Sequence, residues 1–177
     1  MRILLDPETA ARGIRRMAGE IVERASGAKT LALVGIRRGG VPLAQELARA
    51  IEALEGVRVP VGAVDIGLYR DDAGTAPPKP QIGRTEIPFE VEGTRIVIVD
   101  DVLYTGRTVR AALDALLDYG RPRKIELAVL VDRGGRELPL QPDFVAKVVE
   151  VDPDDRVDVA RDEKGWTAAV FPGEGAP

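Results

Sequence analysis

Residues Val97–Val109 read VIVDDVLYTGRTV, and the reading of this stretch decides the fold. Its opening residues are apolar with no polar alternation, which predicts a strand buried on both faces, as in a parallel sheet. Two adjacent carboxylates, Asp100 and Asp101, then stand at the strand's C-terminal edge, where open α/β sheets bind ligands. The turn Tyr104-Thr105-Gly106-Arg107-Thr108 supplies hydroxyls and a glycine, and a helix is expected to follow at once over Thr108–Leu117. Free N–H groups and the positive end of the helix dipole favour a phosphate there. Carboxylates beside a phosphate site suit a ligand with hydroxyls, such as a ribose, so the segment reads as a ribose 5-phosphate cradle. It is neither a GxxxxGK[ST] loop nor a GxGxxG fingerprint, since both patterns are absent.

The flanking sequence repeats the strand–helix alternation. Asp6 is a suitable N-cap with Pro7 at the first helical position, and Ile14, Met17, Ile21 and Val22 recur at helical spacing until Ser26-Gly27. Leu31–Val34 predicts a buried strand, followed by Gly35-Ile36-Arg37-Arg38-Gly39-Gly40 and a helix from near Pro42, with Gly56 after its end. Arg58–Leu68 predicts a second strand, Arg95–Val99 another buried strand and Ile125–Val131 a third buried one. Between Tyr69 and Arg84 lies a loop of about the length that usually serves function. Phe144–Val151, Arg156–Ala160 and Thr167–Phe171 predict short strands. No internal repeat or linker divides the 177 residues, which are enough for one core. The expectation is one α/β domain over 1–177, with a mostly parallel central sheet flanked by helices.

Composition excludes whole chemistries. The chain has neither Cys nor His. Thiol nucleophiles, disulfides, Cys or His zinc sites and His-based triads are therefore ruled out. What remains is carboxylates, hydroxyls, Arg/Lys, backbone dipoles and a hard metal such as Mg²⁺. No apolar run reaches the length of a membrane span, and Met1–Asp6 is too short in hydrophobic residues for a signal peptide. The expectation is a cytoplasmic protein without a membrane partner. The net charge of −4 is uneven: residues 1–40 carry a net of +4 and the remainder −8. An acidic protein of this kind can still present a local basic face.

Taken with its context, VIVDDVLYTGRT resembles the phosphoribosyl-pyrophosphate (PRPP) motif of type I phosphoribosyltransferases. Val34–Gly40, Asp65–Asp72, Asp101–Arg110 and Val131–Pro139 occur in the order and spacing of one branch. These stretches resemble the bacterial pyrimidine operon regulators that also act as uracil phosphoribosyltransferases, over about residues 4 to 171. The resemblance implies the type I fold with a small hood (about 132–171) and a flexible loop (about 69–84). It implies the reaction uracil + PRPP to UMP + pyrophosphate with Mg²⁺, held mostly by PRPP oxygens and water. Asp100 and Asp101 would be catalytic, holding the ribose hydroxyls directly or through the metal. PRPP and UMP would bind along Asp100, Asp101, Val102, Leu103, Tyr104, Thr105, Gly106, Arg107 and Thr108. Arg37, Arg38 and Gly39 would take pyrophosphate, with one of the two Arg free to face solvent. Tyr69, Arg70 and Asp71 would act from the flexible loop. Val131, Asp132, Arg133 and Gly134 would form the base hood.

Family members of this type also bind a stem–loop in the leader mRNA of pyrimidine genes, more strongly with UMP or UTP, and favour transcription termination. Here that implies an RNA face of Arg12, Arg15, Arg16, Arg24, Lys29 and Arg136, since Arg suits phosphates and unstacked bases. Relatives often carry His near positions 19 and 135, where this chain has Gly. A homodimer or larger homo-oligomer is also implied. The alternatives are an enzyme alone, with a purine base as one option for its substrate, and a regulator that senses PRPP or UMP with negligible turnover. Val131–Pro139 lacks the Lys and stacking aromatic usual in the purine relatives.

Overall fold

The computed structural model describes residues 1–67, 69 and 84–175. Within them the order of elements is β1 (Arg2–Leu5), α1 (Pro7–Ala25), β2 (Leu31–Ile36), α2 (Gly40–Glu55), β3 (Val61–Val64) and β4 (Arg95–Leu103). Then come α3 (Arg107–Leu117), β5 (Lys124–Asp132), β6 (Phe144–Val148), β7 (Arg156–Asp162) and β8 (Gly165–Phe171).

The sequence-based α/β expectation holds. Five strands form a parallel sheet in the order β3-β2-β4-β5-β6, with β4 in the middle. The central strands are apolar on both faces because each face is covered: all six residues of β2 are buried. One core cluster joins α1 and α2 to the sheet through Met17, Ile21, Leu43, Leu47 and Ile51. A second lies on the α3 side, around Ile36, Ile98, Val109 and Leu116. Asp6 caps α1 as expected, its Oδ1 accepting the Thr9 N–H at 2.8 Å, and Ser26 ends the helix in the left-handed region (φ 54°).

Three expectations need adjusting. The central strand does not stop at Val99 but continues through both aspartates to Leu103, because β5 stays in register beside it, Asp100 against Val129 and Leu103 against Asp132. Of the described residues in Arg58–Leu68, the four of β3 form the strand, and Leu68 lies outside the described residues. The region 132–171 is not all hood: β6 joins the central sheet beside β5. The small separate sheet is antiparallel, in the order β1-β8-β7. Its inner face is anchored by Trp166, whose indole N–H donates to Glu46 Oε2 on α2 at 2.6 Å.

Two features hold the base of the sheet, opposite the aspartates. Glu126 on β5 has a side chain only 2% exposed and accepts from Arg95 Nε at 2.7 Å. Arg24 of α1 adds Nη1 contacts to Glu126 (3.4 Å) and Asp143 (3.2 Å) and covers the Phe144 ring. On the free side of β6, Arg16 donates to the carbonyls of Val145 and Ala146 at 2.9 and 3.0 Å, so a charged side chain occupies an otherwise unpaired edge. Gly13 lets α1 approach that strand; a Cβ there would stand 2.8 Å from the Ala146 Cβ. Gly13→Ala gains helix propensity but overpacks this contact, and is expected to lower urea-unfolding stability by about 1–2 kcal/mol net.

Candidate functional site

The parallel register brings three segments to one end of the sheet. β2 ends beside β4, Gly35 opposite Val99, so the loop Arg37–Gly39 emerges next to Asp100 and Asp101. The contact is close. A Cβ on Gly39 would strike the Asp101 carboxylate, and one on Gly40 would strike the Val99 carbonyl. These two positions need glycine for space, whatever their dihedrals. The Arg37–Arg38 peptide bond is cis.

Asp100 is buried, and its carboxyl is pushed well above the ordinary carboxylate range, first by burial and then by the charge of Asp101. Its Oδ1 accepts the Asp101 N–H at 2.9 Å, and Asp101 Oδ1 accepts the Val102 N–H at 2.8 Å. Asp101 is half-buried and reaches the side of the cleft toward Gly39.

Beyond them the chain turns through Tyr104 and Thr105 into Gly106, at φ 93°, which caps α3 without a side-chain hydrogen bond. The first-turn N–H groups of α3 therefore face the turn, the arrangement that binds phosphate. Thr105 Oγ1 accepts the Arg107 N–H at 3.3 Å. The Arg107 side chain is turned to Glu137, Nε to Oε2 at 2.8 Å.

The loop after β5 is stitched to this turn. Thr105 O accepts the N–H groups of Glu137 and Leu138 at 3.0 and 3.1 Å. Arg136 donates to Tyr104 O, Leu140 O, Asp132 Oδ2 and Gln141 Oε1. Asp132 Oδ1 also accepts the Gly134 N–H. Arg133 is buried; its guanidinium lies 3.9 Å over the Tyr104 ring and donates to Asp155 O and Asp152 O. Val131 is buried in β5, while Leu103 closes the end of β4 and Val102 lies half-buried beside it.

The structure thus brings together Asp100–Thr108, Arg37–Gly39 and Val131–Gly134. It separates their roles more finely than the sequence did. Arg37 is drawn toward Arg84, its Nε donating to Arg84 O at 2.7 Å, and Arg38 is the exposed member of the pair. Tyr69 donates its hydroxyl to Asp118 beyond α3, while the expected loop contacts Arg70 and Asp71 lie outside the described residues.

The basic set divides as well. Arg12, Arg15 and Arg16 are exposed on α1, but Arg12 pairs with Glu8 and Arg16 holds the β6 edge. Arg24 belongs to the network at the base of the sheet. Arg136 is an internal clamp, with a side chain 13% exposed. Among the described residues, Arg15 and Lys29 are the members of this set with no ion pair or side-chain hydrogen bond. The sequence reading passed over Glu137, the turn 152–155 and the Glu46–Trp166 bond. Their partners are backbone groups or residues far along the chain, which no local spacing reveals.

Comparisons with known proteins agree with this arrangement. The family model for the phosphoribosyl transferase domain matches residues 2–160. A bifunctional protein PyrR of Roseiflexus sp. is 57% identical over 154 residues, 87% of this chain and 84% of that protein. The bifunctional protein PyrR of Thermus thermophilus is 53% identical over 169 residues, covering 88% of this chain and 93% of the relative. Among solved structures, the hypoxanthine phosphoribosyltransferase of Trypanosoma cruzi superposes with a TM-score of 0.73 at 20% identity, over 98% of each chain. A hypoxanthine-guanine phosphoribosyltransferase from Bacillus anthracis gives 0.71 at 17% identity, over 97% of this chain and 98% of that one. At those identities the likeness is one of fold: the central parallel sheet with flanking helices is the type I phosphoribosyltransferase architecture. With its cradle between β4 and α3 and relatives at this level of identity, the chain belongs to the phosphoribosyl transferase family and, within it, to the bifunctional PyrR proteins.

Proposed function

We propose that this protein makes UMP and pyrophosphate from uracil and PRPP, and that it binds the leader RNA of pyrimidine genes in a nucleotide-dependent way. The observation that carries the enzymatic half is the meeting of Asp100 and Asp101 with the Arg37–Gly39 loop and the N-terminus of α3 at one sheet end. In the reaction uracil N1 bonds to ribose C1 as the bond from C1 to the pyrophosphate oxygen breaks, and the N1 proton leaves to solvent. Positive charge develops on the ribose and negative charge on the leaving group.

Each charge meets its complement in this chain. Asp100 and Asp101 stand on the ribose side, and the positive charge that develops there favours their ionised forms, which stabilise the carbocation-like centre. The Arg37–Gly39 loop receives the leaving group, with backbone approach eased by its glycine. Thr105–Thr108 and the start of α3 hold the 5-phosphate. Val131–Gly134 offer backbone groups to the edges of uracil. Mg²⁺ fits this donor set: the two aspartates offer hard oxygens, and when bound the ion adds positive charge at the pyrophosphate. Among the described residues no three acidic side chains converge into a cage, so substrate oxygens and water complete the coordination in this proposal.

The RNA half is supported by the relationship to PyrR proteins and by the exposed basic residues of α1. Arg12, Arg15, Arg16 and Lys29 form the proposed face; Arg136 contributes through the loop that it braces. Gly19 sits on the same helix with open space around its Cβ position. A cytoplasmic setting and a homo-oligomer belong to the same proposal. Among the described residues no helix is long and apolar enough to cross a membrane.

Two measurements test the proposal. Protein, Mg²⁺ and PRPP are incubated with uracil, hypoxanthine or guanine, and nucleotide is quantified; UMP is expected, and product with a purine alone would overturn the uracil assignment. Leader RNA is then titrated at two salt concentrations with and without UMP. Arg15→Glu with Lys29→Glu is expected to weaken RNA binding about tenfold or more and to flatten its salt dependence, since phosphate contacts dominate such affinity. Unchanged RNA binding in this variant would remove α1 from the interface.

A further inference from the structure

Tyr104 lies within the turn assigned above to phosphate, and its side chain reaches the connection between β6 and β7. The hydroxyl donates to Pro153 O at 3.2 Å. One ring face carries the Arg133 guanidinium at 3.9 Å. The ring edge lies against Gly135, where an added Cβ would meet Cδ2 at 2.9 Å and strike Cε2; Gly135 also holds φ 79°. Arg133 in turn places Nη1 2.8 Å from Asp155 O and Nη2 3.2 Å from Asp152 O. Its backbone N–H donates to Leu103 O at 3.1 Å. The turn 152–155 connects β6 of the central sheet to β7 of the small sheet. It is pinned from the other side by Gly173, whose N–H donates to Asp155 Oδ1 at 3.1 Å.

We infer that Tyr104 and Arg133 form a latch that fixes the 152–155 turn to the phosphate loop, so that both are positioning residues for the nucleotide, and that Gly135 provides the space the latch requires. The inference rests on the phosphoribosyltransferase reading above, which assigns the 104–108 turn to phosphate. Arg133 is buried without a carboxylate among the partners described, and its charge is met by two carbonyls and a ring face. A planar fork suits two carbonyls from one turn, which an ammonium group does not reproduce. The Tyr104 ring is thereby held between the hood loop and the sheet-to-sheet turn. Displacing it would shift the phosphate-loop backbone that it belongs to.

The test uses Arg133→Lys, Tyr104→Phe and Gly135→Ala in the full chain. Kinetics with PRPP and uracil, calorimetric UMP affinity and melting temperature are measured, together with amide exchange by mass spectrometry. Arg133→Lys and Gly135→Ala are expected to raise the KM for PRPP and the Kd for UMP about tenfold, with kcat changed less than about threefold. Tyr104→Phe keeps the ring and is expected to show a smaller rise, about twofold to fivefold. The double variant Arg133→Lys/Gly135→Ala should be less than additive, because both act on the same ring. Amide exchange should quicken at 104–108 as well as at 152–155. A kcat loss at unchanged KM would overturn the latch in favour of direct participation. So would a fall in melting temperature with KM, Kd and exchange at 104–108 unchanged. Wild-type protein that neither forms UMP nor binds it would overturn the enzymatic reading instead, while the exchange result would still judge the latch.

Discussion

Asp100→Asn is expected to raise the melting temperature and to lower UMP formation about a hundredfold or more. Both effects come from one feature. Asp100 is 7% exposed, stands beside a second carboxylate and takes its hydrogen bond from a neutral N–H, that of Asp101. A buried carboxylate in such surroundings resists ionisation, and charging it costs the folded state free energy that the unfolded chain does not lose. Asparagine has nearly the same shape, accepts the same N–H and carries no charge. The gain is expected to be about 1 kcal/mol, or about 2–4 °C for a chain of this size. The rate falls because an amide, unlike the carboxyl, cannot ionise in response to the developing carbocation and Mg²⁺. Differential scanning fluorimetry and initial rates on one preparation check both halves. A lower melting temperature would show that the charged side chain is structurally satisfied, and an unaltered rate would remove Asp100 from the reaction.

Arg95→Met is expected to do the reverse, lowering stability by about 3 kcal/mol or more while sparing the chemistry. Arg95 supplies the 2.7 Å bond to Glu126, whose side chain is 2% exposed. Without it, among the described residues, Glu126 is left with the longer contact from Arg24 at 3.4 Å. The melting temperature should fall by about 6–12 °C. The effect should depend on pH in a defined sense. Burial opposes ionisation of Glu126, but hydrogen bonding and charge from Arg95, aided by Lys124 and Arg24, prevail, so its carboxyl sits below the ordinary value. A carboxyl depressed in the folded state contributes stability above its unfolded pKa, and that contribution is lost as pH falls through the folded value. In Arg95→Met the chief depressing partner is absent and burial prevails, so the variant is penalised most near neutrality and least near pH 4. A deficit that stays constant from pH 7 to pH 4 would contradict this account. Arg95→Met/Glu126→Leu, which removes both charges, should recover much of the loss. The rate at 25 °C should stay near wild type, because this network lies at the opposite end of the sheet from Asp100.

The two variants also show what was legible in the sequence. VIVDDVLYTGRT announced its strand, its turn and its helix because apolar periodicity, adjacent acids and a glycine turn are local signals. The grouping of Arg37–Gly39 with Asp101 followed from the family resemblance, since no local pattern links the two stretches. The extension of β4 to Leu103 could not be anticipated, since Asp100 and Asp101 remain in the strand through pairing with β5, a partner about thirty residues away. β1 was passed over for the same reason: Arg2–Leu5 is a strand because β8 lies beside it, Arg2 opposite Val170. The arginines misled most. Arg16, Arg24, Arg133 and Arg136 look alike as basic residues in sequence, but each is spent on carbonyls, a buried carboxylate or a ring. A guanidinium that ends on backbone carbonyls leaves no pattern in the residues that accept it.

Trp166 is the single tryptophan of the chain. It is buried at the seam between the small sheet and α2, with its indole N–H on Glu46 and Arg161 over its ring. The protein therefore carries an intrinsic fluorophore at the joint that must give way if the small sheet lifts from the helix that begins at Gly40. Its emission reports that opening without any label, on the time scale of a stopped-flow experiment, and under the same conditions in which substrates or RNA are added.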